Sequence, residues 1–126
     1  MSQTLALAYA ALACLPVLMH LALAAGAPLG RWTVGGRFAH QLPPAWRALA
    51  LVQAALLLTM AGAVLSRAEL ITGPAAVPLA LLFWPAVVLT LLSLAANAAS
   101  PSRPERLLWT PVLALMAAAA LGVGLA

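Results

Sequence analysis

The chain has 126 residues, a length typical of one domain, and 66% of them are hydrophobic while only 6% are charged. Soluble domains carry about 25% charged residues, so this composition excludes an ordinary water-facing surface and indicates one integral membrane domain over residues 1–126. The formal charge of +4 comes from six arginines against Glu69 and Glu105, without the basic face that nucleic-acid binding requires.

Residues 4–25 form the first predicted membrane span. They carry no charge, and they are long enough as a helix to cross a hydrocarbon core of about 30 Å. A cleaved signal peptide is the competing interpretation, but no basic residue precedes the apolar run, which is longer than the usual signal core. Cys14 lies inside this span, and a lone cysteine excludes an internal disulfide and a cysteine-based zinc site.

Loop 1, defined here as residues 26–47, is the longest polar interruption of the chain. Its Gly35-Gly36 pair, between Trp32-Thr33-Val34 and Arg37-Phe38-Ala39, predicts a short β-hairpin with a tight turn. The alternative is an irregular interfacial loop whose arginines only set the topology. Under the hairpin interpretation, we expect arginines of loop 1 and of the start of the fourth span to contact lipid headgroups or loop groups: Arg31, Arg37, Arg47, Arg103 and Arg106.

Three further spans are predicted at residues 48–66, 75–97 and 105–125, giving an all-α, four-helix transmembrane bundle with a structured loop 1. Pro43-Pro44 suits the first turn of the second helix. Pro78 and Pro85 lie inside the third span and predict a bend near Leu81–Pro85. Ser102 and Glu105 fit a capping box at the start of the fourth helix.

Small residues recur every four positions along the last span, at Ala114, Ala118 and Gly122. Such a face lets another helix approach closely, so it predicts a homo-oligomer or a partner membrane protein in addition to contact with membrane lipids. Ala6/Ala10 and Ala50/Ala54 offer similar faces on the first two helices. The alternative is chance recurrence in an alanine-rich chain.

The arginines are distributed unequally between the two ends of the predicted bundle. Five lie in or beside residues 26–47 and 97–105, whereas Arg67 alone lies at the end that carries both termini. The positive-inside rule therefore places residues 26–47 and 97–105 in the cytoplasm and both termini outside. The composition, rich in Ala and Leu and without Lys, suggests the inner membrane of a GC-rich bacterium.

The strongly polar residues of the spans fall in one leaflet, whereas the other leaflet carries only hydroxyl groups such as those of Tyr9 and Thr59. His20, Gln53 and Asn97 map to the arginine-rich end of the bundle, as does Glu105. Because buried polar groups in membranes face the interior and pair with one another, these four form a candidate polar cluster beneath loop 1. The alternative is that each is an ordinary packing or capping residue. His20 and His40 have no metal-ligand spacing, so we expect neither a metal nor another cofactor.

Two patterns in the polar segments carry a resemblance: GxPxG…GG…LPPxxR over Gly26–Arg47, and NxxSxSxxER…TP over Asn97–Pro111. They resemble small uncharacterised four-span membrane proteins of GC-rich bacteria, and this resemblance implies the fold and no activity. The first helix lacks the membrane-embedded glutamate on which the small multidrug exporters depend.

The leading functional prediction is a non-enzymatic binding or accessory protein that contacts lipid headgroups or partner helices. One alternative is a transporter of a small solute or proton with a polar entry at the His20, Gln53 and Asn97 end. The other is an enzyme acting on lipid headgroups with His20 or Glu105 as acid or base. No catalytic residue is assigned.

Overall fold

Helices account for the regular secondary structure of the protein in a computed structural model that describes every residue from Met1 to Ala126. Five α-helices follow in chain order: α1 (Ser2–Ala24), α2 (Pro44–Arg67), α3 (Ala76–Leu81), α4 (Phe83–Ala98) and α5 (Arg103–Leu125). Loop 1 contains two short 3-10 turns, and no β-strand is present. The all-α prediction is confirmed.

Three helices are long and apolar enough to cross a membrane. They are α1, α2 and α5, with 23, 24 and 23 residues and mean hydropathies of 2.0, 2.2 and 1.9. Large apolar side chains remain exposed on the outer surface, including Leu18 at 62%, Val52 at 61% and Leu92 at 60%. An apolar exterior of this kind suits hydrocarbon surroundings and would be costly in water. The helix α4 is also apolar but shorter, with 16 residues.

The predicted third span is divided into α3 and α4 by a break at Leu82, inside the predicted Leu81–Pro85 window. Pro78 is the third residue of α3, and Pro85 is the third residue of α4. The first four N–H groups of a helix have no intrahelical acceptor, so a proline at these positions removes no helical hydrogen bond. The break therefore accommodates both prolines.

The helix α1 packs along both α2 and α5, while α5 also packs along α4, and α2 contacts α3 and α4. Alanines line these contacts and let the helix backbones approach closely. Ala6, Ala50 and Ala54 are buried within the chain. On α5, Ala114 and Ala118 are exposed, whereas a Cβ added to Gly122 would lie 2.6 Å from Leu5 Cδ1. Gly122 therefore serves an intramolecular contact.

A buried hydrogen bond joins α1 to α4 in the half of the protein away from loop 1. Tyr9 and Thr90 are both fully buried, and their hydroxyl oxygens lie 2.7 Å apart. Thr90 Oγ1 donates its single proton to the Ala86 carbonyl at 2.8 Å, so the Tyr9 hydroxyl must donate to Thr90. This bond is a specific polar link within an apolar core.

We expect Tyr9→Phe to lower the free energy of unfolding by about 1 kcal/mol, the usual net contribution of one hydrogen bond. The substitution keeps the ring in place and removes only the donor. Reversible unfolding by SDS in mixed micelles measures the change. Thr59→Val is the matched control, because the exposed Thr59 hydroxyl bonds only the Ala55 carbonyl of its own helix. Equal stability of Tyr9→Phe and the unsubstituted protein would contradict the expectation.

Candidate functional site

The centre of loop 1 is not a β-hairpin, and that prediction is wrong. Gly35 and Gly36 do have positive φ angles, of +64° and +74°, as a tight turn between them requires. The flanking residues, however, form 3-10 turns at Gly30–Trp32 and Val34–Gly36 instead of pairing as strands. An isolated two-stranded hairpin is marginally stable, and here the loop backbone bonds to the start of α5 instead.

Three side chains at the start of α5 hold the backbone of loop 1. Ser102 Oγ donates to the Arg31 carbonyl at 2.6 Å, and Trp109 Nε1 donates to the Trp32 carbonyl at 2.9 Å. The Gly35 N–H donates to Glu105 Oε2 at 2.7 Å. The loop is therefore attached to α5 at three backbone positions, Arg31, Trp32 and Gly35.

The predicted capping box is half correct. Ser102 is the N-cap of α5, and its Oγ accepts from the Glu105 N–H at 3.3 Å, as expected. The reciprocal bond is absent, because the Ser102 N–H donates to Ser100 Oγ at 3.1 Å. The Glu105 carboxylate is consequently free to accept from Gly35 in loop 1. Glu105, which the sequence pattern assigns to local capping, thus makes a long-range contact with Gly35.

Loop 1 folds back on itself at Gly30. The Gly30 N–H donates to the His40 carbonyl at 2.8 Å, and a Cβ added to Gly30 would clash with the carbonyl oxygens of Phe38 and His40. Below this fold, Leu23, Leu42 and Ala50 form a small buried cluster, against which apolar loop side chains pack. The loop therefore covers the end of the helices with its own hydrophobic contacts.

A partly open cavity of about 380 Å³, here called the interior cavity, lies beneath loop 1 between α1, α2, α4 and α5. Some of its lining residues, among them Leu49 and Leu56, are also exposed on the outer surface. All four members of the predicted polar cluster line it: His20, Gln53, Asn97 and Glu105. The remaining lining is mainly apolar and extends to Met60, which lies past the midpoint of α2. A mainly apolar cavity with a few convergent polar groups is the usual form of a small-molecule site.

No hydrogen bond joins any two of the four polar side chains, so the expectation that they pair with one another is not met. Asn97 Nδ2 donates to the Ser93 carbonyl of its own helix at 2.8 Å, and Glu105 accepts from Gly35. His20 is partly buried, and its buried Nδ1 has no partner. The Gln53 side chain is exposed. The four side chains thus border the same cavity without forming a network.

The cavity carries a single formally charged side chain. Glu105 is 9% exposed, and no arginine lines the cavity. No group of three or more His, Cys, Asp or Glu side chains lies close enough to hold a metal ion. The cavity therefore combines one carboxylate and several neutral hydrogen-bonding groups with a mainly apolar lining.

The five arginines expected to contact headgroups or loop groups occupy different environments. Arg47 Nε donates to the Ala24 carbonyl at the end of α1, and Arg106 Nη1 donates to the Ser100 carbonyl. The Arg37 guanidinium lies over the rings of Phe38 and Trp46, at 5.4 and 5.6 Å from their centroids. The other two, Arg31 and Arg103, are exposed. At least two of the five thus bind backbone groups of the fold.

Trp109 was not singled out from the sequence, although it lines the cavity and bonds the Trp32 carbonyl. Its position near the predicted start of the last span was a usable signal. Tryptophan at a membrane interface combines an apolar ring with a donor that requires a partner. Its acceptor, a loop carbonyl 77 residues away, has no sequence signature.

We expect Glu105→Gln to accelerate amide hydrogen exchange at Gly35 roughly fivefold, because a hydrogen bond to a neutral amide is weaker by about 1 kcal/mol than one to a carboxylate. Hydrogen-exchange mass spectrometry on loop 1 peptides checks this. Glu69→Gln removes the same charge at the opposite end of the protein and should leave loop 1 exchange unchanged. Identical exchange in both variants would contradict the attachment of loop 1 by Glu105.

Comparisons of the chain with protein-family models, with curated proteins and with solved structures gave no match. The residues themselves are therefore the basis for assigning a function. They combine a cavity near one end of a set of apolar helices with a loop attached over that end.

Proposed function

We propose that the chain is a four-span protein of the bacterial inner membrane, with α3 and α4 together forming the third span. The predicted topology puts loop 1 and residues 97–105 in the cytoplasm and both termini outside. The bonds from Ser102 and Glu105 to loop 1 support a shared side for the two arginine-rich segments. A bond of 3.4 Å from Gln3 Nε2 to the Ala68 carbonyl supports a shared side for the N-terminus and the α2–α3 connection.

Reporter fusions test this topology. A green fluorescent protein joined after Ala126 should remain dark in cells, because it does not fold when exported through the general secretory pathway. The same protein inserted after His40 should fluoresce, because that position lies in the proposed cytoplasmic loop. Fluorescence of the C-terminal fusion would reverse the proposed orientation.

Within this topology, the proposed function is non-enzymatic binding of a small amphipathic molecule in the interior cavity. The observation that carries the proposal is the convergence of His20, Gln53, Asn97 and Glu105 on one mainly apolar cavity of about 380 Å³. This volume lies at the lower end of the range of about 300–1,000 Å³ for small-molecule sites. The ligand would therefore be smaller than a complete phospholipid.

The charges of the cavity favour a ligand with a neutral or cationic head. Glu105 is the one charged lining residue, and it would repel an anionic head in a medium of low dielectric. The polar groups lie under loop 1, whereas Leu57, Met60 and Leu113 line the deeper part. The head would thus lie near the loop 1 end, with its apolar portion directed towards the centre of the membrane.

Transport is a second candidate, favoured by the depth of the cavity. The cavity extends to Met60, beyond the midpoint of α2. The opposite half is closed by fully buried side chains, among them Tyr9, Phe83 and Met116. A ligand could leave only towards loop 1 or between helices unless this half opened, so binding is the better supported function.

Binding can be measured with three probes that share one chain length: decanol, decylamine and decanoate. We expect decanol and decylamine to raise the unfolding temperature of the protein in phosphatidylcholine nanodiscs, because a ligand that binds only the folded state stabilises it by mass action. Decanoate should give no specific shift. A shift with decanoate equal to that with decylamine would contradict the proposed role of Glu105.

Matched substitutions on α4 locate the binding. Ala96 lines the cavity and Ala95 does not, although both are exposed. Ala96→Phe should fill the cavity and abolish the shifts produced by decanol and decylamine, whereas Ala95→Phe should retain them. Retention of the shifts in Ala96→Phe would show that the probes bind elsewhere.

Release of a pre-loaded probe to the outer face of proteoliposomes would instead favour transport.

A further inference from the structure

A second candidate site lies on the outer surface, where loop 1 meets the start of α5. Six residues line a shallow groove, here called the arginine groove: Arg31, Trp32, Arg103, Pro104, Leu107 and Leu108. None of them lines the interior cavity. The groove is therefore independent of the site to which the proposed function is assigned.

The fold brings two arginines together in this groove. The bond from Ser102 Oγ to the Arg31 carbonyl holds the Arg31 backbone beside the residue that precedes Arg103. The Arg31 guanidinium lies 5.5 Å from the centroid of the Trp32 ring, within the range of a cation–π contact. Both arginine side chains are exposed. Two residues that are 72 positions apart in sequence thus contribute to one cationic surface.

Few acidic groups are present to neutralise this surface. The chain contains only two, and Glu69 lies at the opposite end of the helices, beyond the end of α2. Glu105 lines the interior cavity and accepts from the Gly35 N–H. The arginine groove therefore has a local excess of positive charge that an external anion can complement.

Apolar side chains continue from the arginines along α5. Leu107 is 60% exposed and Leu108 is 37% exposed, and both follow Arg103 within about two helical turns. Trp32 also lines the groove, and tryptophan is enriched at membrane interfaces. The groove thus has guanidinium groups at its loop 1 end and hydrocarbon-compatible side chains along the helix.

We propose that the arginine groove binds one anionic glycerophospholipid, with the phosphate at Arg31 and Arg103 and an acyl chain along Leu107 and Leu108. Arginine binds phosphate oxygens through two parallel N–H donors, which gives geometric selectivity over a diffuse charge. The occupant is a lipid because the apolar part of the groove is continuous with the cationic part. A soluble phosphate would leave the leucines without a partner.

The test measures the dissociation constant of the first bound lipid by native mass spectrometry of the detergent-solubilised protein. The probes are palmitoyl-oleoyl phosphatidylglycerol and phosphatidylcholine with the same acyl chains. We expect the double variant R31Q/R103Q to bind phosphatidylglycerol about 30-fold more weakly, since each basic residue at a membrane surface contributes roughly a fivefold change in affinity. Phosphatidylcholine has the same phosphate but no net charge, so its binding should weaken less than that of phosphatidylglycerol.

The double variant R37Q/R67Q removes the same number of charges outside the groove. Arg37 lies over Phe38 and Trp46, and Arg67 lies over Phe83 and Trp84. The affinity of R37Q/R67Q for phosphatidylglycerol should stay close to that of the unsubstituted protein. Equal weakening in the two double variants would overturn the proposal, because it would indicate attraction by net charge alone.

Further measurements test whether a soluble phosphate binds instead of a lipid and whether the arginines serve only the fold. Glycerol phosphate at millimolar concentration should not displace phosphatidylglycerol, and complete displacement would overturn the assignment to a lipid. The unfolding temperature of R31Q/R103Q without added anionic lipid should match that of the unsubstituted protein, and a large decrease would show that the arginines serve the fold. Ala96→Phe should leave phosphatidylglycerol binding intact, which distinguishes failure of this proposal from failure of the cavity proposal.

Discussion

The attachment of loop 1 to the start of α5 is the interaction on which the rest of the site depends. Ser102, Glu105 and Trp109 bond to three neighbouring backbone groups of the loop. Backbone polar groups that are buried away from water need hydrogen-bond partners. Since α5 supplies these partners, loop 1 lies over the ends of the helices, and the cavity beneath it has a cover.

The same attachment separates two kinds of charge. It draws Glu105 towards the interior, where this residue becomes the one charged group of the cavity. It also holds Arg31 beside the start of α5 on the outer surface, where Arg103 joins it in the arginine groove. These two locations are the basis of the two ligand chemistries proposed above: a neutral or cationic head in the cavity and an anion at the groove.

Predictions from the sequence succeeded where they rested on the bulk composition of long segments. Three of the apolar runs correspond to α1, α2 and α5. The bend predicted from two prolines is present as a break at Leu82. They failed in loop 1, where Gly35-Gly36 indicated a hairpin. Positive φ angles at the glycines were correctly expected, but the partners of the neighbouring backbone groups lie about 70 residues away. Local patterns carry no information about such partners.

The sequence by itself determined that the helices are apolar and that the polar residues of the spans gather towards one end. Hydropathy and helical rise are additive along a chain, so they can be summed without knowledge of contacts. Only the tertiary structure decided that His20, Gln53, Asn97 and Glu105 border a cavity without bonding to one another. It also decided which arginines bind backbone carbonyls and which lie in the groove. Those outcomes depend on the packing of helices distant in sequence, and packing is a property of pairs of surfaces.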